Sequence, residues 1–139
     1  MKNFLSIDYG TKRIGLAFNV ATLAEPLLVL DNQLSNQQDI VTDQAVEEII
    51  KICAERKINE IVLGLSEAQM AVKIQAFAKI LQARLGLPLT LVDETLSSHE
   101  VKRRMAEASF SLKKRQGPID HYSAALILED FLENLSIKS

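Results

Sequence analysis

Phe4-Leu5-Ser6-Ile7-Asp8-Tyr9-Gly10-Thr11-Lys12-Arg13-Ile14-Gly15-Leu16-Ala17-Phe18 is the stretch whose reading decides the fold. An apolar run ends on one carboxylate, Asp8, and the residues after it cannot continue a buried strand. Gly10 permits positive φ and close backbone approach, Thr11 adds a hydroxyl, and Lys12-Arg13 adds two positive charges. Ile14 to Phe18 then reads as a returning strand, so the whole is a hairpin with a short polar tip. A carboxylate at the end of a buried strand is costly to ionise unless something binds it. A divalent cation, or a phosphate held through that cation, is one natural partner. An Asx turn that merely closes the hairpin is the structural alternative.

Outward from the hairpin, Glu25-Pro26 breaks the pattern and Leu27-Leu28-Val29-Leu30 reads as a third short strand. Asp31 to Asp39 is polar and reads as a loop. Thr42 or Asp43 is placed to cap a helix running to about Arg56, with Val46, Ile49, Ile50 and Cys53 as its buried stripe. Glu60 to Leu65 is apolar on both faces, as a strand in the parallel part of a sheet should be. A second helix spans about Ala68 to Leu85 and stops at Gly86. Pro88 to Val92 is a fifth strand that closes on Asp93-Glu94. Ser97 or Ser98 caps a helix from about His99 to Ala108, a basic loop follows to Pro118, and Asp120 opens a last helix with Ala125, Leu128, Phe131 or Leu132, and Leu135 facing inward. The order β-β-β-α-β-α-β-α-α predicts an α/β fold: a mixed five-stranded sheet, strands 1–3 antiparallel and strands 4–5 parallel, with helices on both faces.

The 139 residues fit one domain, 1–139, with a single core. A content of 47% hydrophobic and 24% charged residues is that of an ordinary globular protein. No apolar run approaches the roughly 20 residues a spanning helix needs. A strand beginning at residue 4 leaves no room for a signal peptide, and Cys53, the one cysteine, has no partner for an internal disulfide. Together these predict a cytoplasmic protein. The net charge of −2 does not advertise a polyanion binder, but its distribution does. Lys102, Arg103, Arg104, Lys113, Lys114 and Arg115, set against Glu107, carry +5 and leave −7 on the rest. Such a patch can hold a polyanion at one face, although charge runs are also commonly solvated surface.

Acidic side chains fall at three element boundaries: Asp8, Asp93-Glu94 and Asp120. Sites in open α/β sheets form beyond the carboxyl ends of the strands, where all three can meet. Converging carboxylates need a counter-charge, and Mg²⁺ or Mn²⁺ suits hard oxygen ligands. A pair of such ions can clamp both oxygens of a phosphodiester undergoing displacement. Each acid also has a structural alternative; Asp120 in particular stands where Asp is favoured as a helix cap. No His or Cys pair has zinc-ligand spacing, and neither a nucleophile elbow nor a Walker-type phosphate loop is present.

Asp8-Tyr9-Gly10-Thr11-Lys12-Arg13-Ile14-Gly15-Leu16-Ala17 resembles the opening motif of the YqgF family, also called RuvX. Leu63-Gly64-Leu65-Ser66, Asp93-Glu94-Thr95-Leu96-Ser97-Ser98 and Asp120-His121-Tyr122-Ser123-Ala124-Ala125 resemble its later segments in the right order. The resemblance covers nearly the whole chain. It implies a ribonuclease H-like fold and a nuclease acting on Holliday junctions or on the precursor of 16S ribosomal RNA. By the same resemblance Asp8, Glu94 and Asp120 are the catalytic, metal-holding acids for Mg²⁺ or Mn²⁺. Lys12, Arg13 and the basic residues from 102 to 115 would contact an RNA precursor or branched DNA. The chain would act away from any membrane, as a monomer or weak homodimer. Ser66 departs from the family's Pro, Thr95 from its Arg, and the loop after Leu65 is short. Glu67 or Asp93 could stand in for Glu94. These departures keep a second class open, a nucleic-acid or ribosome-associated binding module with a weakened site. A third is a phosphotransferase, because Asp-x-Gly-Thr also resembles the first phosphate motif of the actin and sugar-kinase superfamily. Those proteins close two such domains around ATP, and this length supplies one.

Overall fold

The computed structural model describes residues 1–36, 38–64, 71–92, 98–107 and 118–138. Among these described residues, five strands and four helices follow one another: β1 Phe4–Asp8, β2 Arg13–Val20, β3 Leu23–Asp31, α1 Asp43–Glu55, β4 Glu60–Gly64, α2 Ala71–Leu85, β5 Leu89–Val92, α3 Ser98–Glu107 and α4 Asp120–Lys138. The sheet order is β3-β2-β1-β4-β5. β1 is antiparallel to β2 and parallel to β4, β2 is antiparallel to β3, and β4 is parallel to β5. The mixed sheet read from the sequence is the one observed, with β1 at its centre.

Alternation along β1 separates the two layers of the core. Leu5, Ile7 and Tyr9 pack with Ile14, Leu16, Ile61 and Leu63 under α1 and α2, which contribute Ile49, Cys53, Ile74, Phe77 and Leu81. Phe4 and Val62 face the other way, against Ile127, Leu128 and Leu132 of α4. Phe4 meets Phe131 edge to face at 5.4 Å. Ser6, on the same side as Phe4, donates its hydroxyl to the Ala124 carbonyl at 2.8 Å, so a buried polar residue fastens α4 to the central strand. α3 lies against α4, with Arg104 reaching Asp130 at 3.5 Å.

Thr42 takes the cap of α1, its hydroxyl accepting from the Ala45 N–H at 3.1 Å. Gly86, at φ +66°, follows α2 in the left-handed conformation that glycine adopts without strain. Two expectations are corrected. β3 begins at Leu23 rather than Leu27 and runs through Pro26. It is an edge strand, and the register slips from Leu16↔Leu28 to Ala17↔Pro26, leaving Leu27 as an extra residue. Edge position and bulge are where a strand tolerates a residue with no N–H. Leu135, read as inward, is 40% exposed, whereas Leu132, almost one turn earlier, is buried. Among the described residues, no helix is long and apolar enough to cross a membrane.

Candidate active site

Asp8 closes the central strand and is 7% exposed. Alternation puts its side chain on the α4 side, together with those of Phe4 and Ser6. In register, Asp8 pairs with Gly15 on β2 and with Gly64 on β4. The carboxylate is thus flanked on both neighbouring strands by a residue with no side chain. The space beside each glycine is used. A Cβ on Gly15 would lie 2.0 Å from the Asp120 carbonyl oxygen and 2.6 Å from the His121 nitrogen. One on Gly64 would meet the Ile127 Cδ1 at 2.4 Å. The first turn of α4 therefore rests directly on the strand residue paired with Asp8. That contact brings the eighth and the hundred-and-twentieth residues to one rim of the sheet.

Asp120 is not the cap of its helix. The Ser123 N–H bonds to the Ile119 carbonyl at 2.9 Å, which puts Ile119 at the cap and Asp120 at the first helical position. Its Oδ2 accepts instead from Arg13 Nε at 2.8 Å. That hydrogen bond, with the negative charge behind it, raises the Arg13 pKa above its usual value, and slight desolvation opposes the rise only weakly. Arg13, expected to contact nucleic acid, is thus placed as the partner of a candidate ligand. The pair is half-open to solvent, with side-chain exposures of 52% for Arg13 and 23% for Asp120. Next to it, burial holds the His121 imidazole below its usual pKa, and the Asp120 charge pulls the other way. Its Nδ1 is buried with no hydrogen-bond partner.

The turn after Asp8 is held by a residue that the sequence hid in a polar loop. Asn32 is fully buried. Its Nδ2 donates to the Gly10 carbonyl at 2.9 Å, its Oδ1 accepts from the Thr42 N–H at 2.9 Å, and its own N–H reaches the Lys12 carbonyl at 2.9 Å. One amide side chain therefore ties the hairpin tip to the end of β3 and the cap of α1. Asn32 directly follows the observed end of β3 at Asp31, one residue beyond the strand read from the sequence, so no sequence signal singled it out.

Of the other expected site residues, only some fall within the described residues. Glu94, its rivals Glu67 and Asp93, and Lys113, Lys114 and Arg115 lie outside the described residues. On α3, Lys102 is exposed, Arg103 sits between Glu100 and Glu107 at 4.0 and 3.1 Å, and Arg104 binds Asp130. Lys12 lines an open groove at the hairpin tip. Among the described residues, no group of three or more His, Cys, Asp and Glu side chains is gathered closely enough to hold a metal ion. Asp8 and Asp120, whose backbones both stand beside Gly15, carry oxygen donors, the class that Mg²⁺ and Mn²⁺ prefer.

Similarity to known proteins identifies the family and the fold. A family model described as RuvX, Holliday junction resolvase, matches residues 2–134. A protein of Protochlamydia amoebophila named "Putative pre-16S rRNA nuclease" is 31% identical, the match covering 94% of this chain and 92% of that protein. One of Rhodobacter capsulatus with the same name is 36% identical, over 94% of this chain and 82% of the relative. Among solved structures, Thermus thermophilus RuvC in complex with a Holliday junction substrate superposes with a TM-score of 0.64 at 14% identity, covering 98% of this chain and 96% of that one. A second Thermus thermophilus RuvC structure gives 0.58 at 13% identity, with 96% of each chain covered. At that identity the superpositions speak for the fold alone, which is the ribonuclease H-like fold of RuvC-type resolvases. With a family model matched from the second residue to well inside α4, the chain belongs to the RuvX Holliday junction resolvase family.

Proposed function

We propose that the chain is a divalent-metal-dependent endonuclease that hydrolyses phosphodiester bonds in structured nucleic acid, an rRNA precursor or a branched DNA. The observation that carries this reading is the seating of Asp120 on Gly15, the residue paired with Asp8. The names of the relatives, which specify a nuclease, support it from outside the structure. Asp8 and Asp120 would hold Mg²⁺ or Mn²⁺, with Glu94 as the third acid. Bound there, the cation supplies Lewis acidity toward the phosphate and a more acidic water.

The chain's own residues do the rest. Asp8 is fixed by the central strand and by the Asn32 clamp behind its turn, so its position costs little reorganisation when substrate arrives. Arg13 aims the Asp120 carboxylate and keeps a positive charge at the rim, where a phosphate can approach. Lys12 extends that charge along the hairpin tip. α4 packs on the sheet beside Asp8 and fixes where its own first turn, with Asp120, stands.

The test is a cleavage screen of junction DNA, duplex DNA and precursor rRNA, with and without Mn²⁺. Asp8→Asn is expected to abolish metal-dependent cutting while its melting curve stays cooperative. Cutting by Asp8→Asn at the wild-type rate overturns the assignment. Wild-type protein that binds these nucleic acids but never cuts them, and that takes up no Mn²⁺, would be the binding module instead.

A further inference from the structure

Beyond the acidic rim lies a groove of about 610 Å³, lined by Thr11, Lys12, Gln33, Ser35, Asn36 and Lys73, with Leu34 beside them. It starts three residues past Asp8 and is formed by three separate parts of the chain: the hairpin tip, the segment leaving β3 and the first turn of α2. Its described charged residues are both lysines, and the remaining lining is almost wholly amide and hydroxyl. Cations supplemented by neutral hydrogen-bonding groups are the composition that suits a phosphodiester backbone, whose oxygens accept and carry charge. A metal would want the opposite lining.

The walls are built, not incidental. The Asn32 clamp fixes the hairpin-tip wall to the β3 exit, at Gly10 and Lys12. Asn36 closes an Asx turn by accepting the Gln38 and Asp39 N–H groups at 2.9 and 3.1 Å. Lys73 reaches across from α2 to the Asp39 carbonyl at 3.4 Å, joining the third wall to the second. The ammonium head is thereby steered along the groove side of α2.

We infer that this groove is a phosphate-backbone subsite, in which Lys12 and Lys73 hold a nucleic-acid strand one or more nucleotides away from the bond lying at Asp8. It rests on the nucleic-acid reading above but not on the cutting step. Substrate would then lie over the rim, with its reacting phosphate on the α4 side and its neighbouring phosphates on the α2 side. Lys73 is a binding residue in this arrangement, and it determines how the strand is oriented relative to the acids.

The experiment is fluorescence anisotropy with a labelled four-way DNA junction and a labelled single-stranded RNA, in EDTA so that nothing is cut, across 50 to 300 mM salt. Lys73→Gln is expected to weaken both probes by about threefold or more and to lower the slope of log K against log salt by about 0.7–0.9, the value for one lost phosphate contact. Lys73→Arg should restore both. Lys79→Gln, the same charge change on an exposed position of α2 outside the groove, should lower the slope by much less. An unchanged affinity and slope for Lys73→Gln, or an equal effect of Lys79→Gln, overturns the subsite. Inorganic phosphate that competes only at the level expected from its ionic strength supports a strand site over a free-anion site; saturable competition by millimolar phosphate refutes the strand assignment. A chain that binds through Lys73 but does not cut would refute the nuclease reading and leave the groove standing.

Discussion

Gly15→Ala is the sharpest perturbation of this fold, because one methyl group would be driven into backbone. The new Cβ would lie 2.0 Å from the Asp120 oxygen, 2.1 Å from its carbonyl carbon and 2.6 Å from the His121 nitrogen. None of these atoms can rotate away, so the first turn of α4 must lift by more than about 1 Å to reach ordinary contact distance. Overpacking of this kind costs typically ~1–3 kcal/mol, and backbone on the receiving side argues for the upper end. The substitution also removes chain entropy from the unfolded state, a gain of about 0.4–1 kcal/mol that offsets part of the loss. A net loss of about 2 kcal/mol corresponds to a fall in Tm of roughly 6–10 °C for a domain of this size. Gly64→Ala is the control: its Cβ would meet Ile127 Cδ1 at 2.4 Å, the far end of a side chain that can change rotamer. Its cost should stay near 1 kcal/mol. Thermal melts followed by circular dichroism, paired with Mn²⁺ titration of the folded variants, read both consequences. Gly15→Ala should lose stability and cation affinity together, while Gly64→Ala keeps the affinity. A Gly15→Ala protein that melts within about 2 °C of wild type, or less damage there than at Gly64, would refute the claim that α4 is seated by that contact.

Asn32→Ala leaves the Gly10 carbonyl and the Thr42 N–H without their partner, and should cost about 2–3 kcal/mol in urea unfolding. Arg13→Ala removes a half-exposed ion pair, so its stability loss should stay below about 1 kcal/mol, while nucleic-acid cleavage falls because Asp120 loses its aim. Burial pushes the Cys53 thiol from 9.0 up to about 11, so its contribution to stability is complete below pH 9 and is lost as pH rises from 9 to 11. Urea titrations over that range should show a slope near 1.4 kcal/mol per pH unit that Cys53→Ala flattens, and native Cys53 should resist iodoacetamide at pH 8.

Much of the architecture could be read from residues because local and global signals agreed. The apolar run of β1, the two-faced burial of β4 and the glycine after α2 each had one natural interpretation. Pro26 misled for a physical reason: proline is excluded from sheet interiors, and strand order is not visible in one sequence. The sequence also put Asp8 and Asp120 at one rim, since open sheets put strand ends and helix starts there. It did not reveal the contact between Gly15 and the start of α4 that places Asp120 there. Gly15 drew no separate reading within the returning strand, although a glycine there often marks close backbone approach. Arg13 read as a phosphate contact because charge says nothing about which nearby carboxylate will claim it. The basic run read as one patch, yet on α3 two of its members are matched by Glu100, Glu107 and Asp130, at spacings only the folded helices create.

The seating of α4 on β2 also has a consequence in time. A chain leaving the ribosome exposes Asp8 and Gly15 early, but the turn that must rest on them comes more than a hundred residues later. Until that segment has emerged, the rim lacks Asp120 and the helix turn that rests on Gly15. The rim around Asp8 and Gly15 is therefore completed only after Asp120 and the turn it opens have been made.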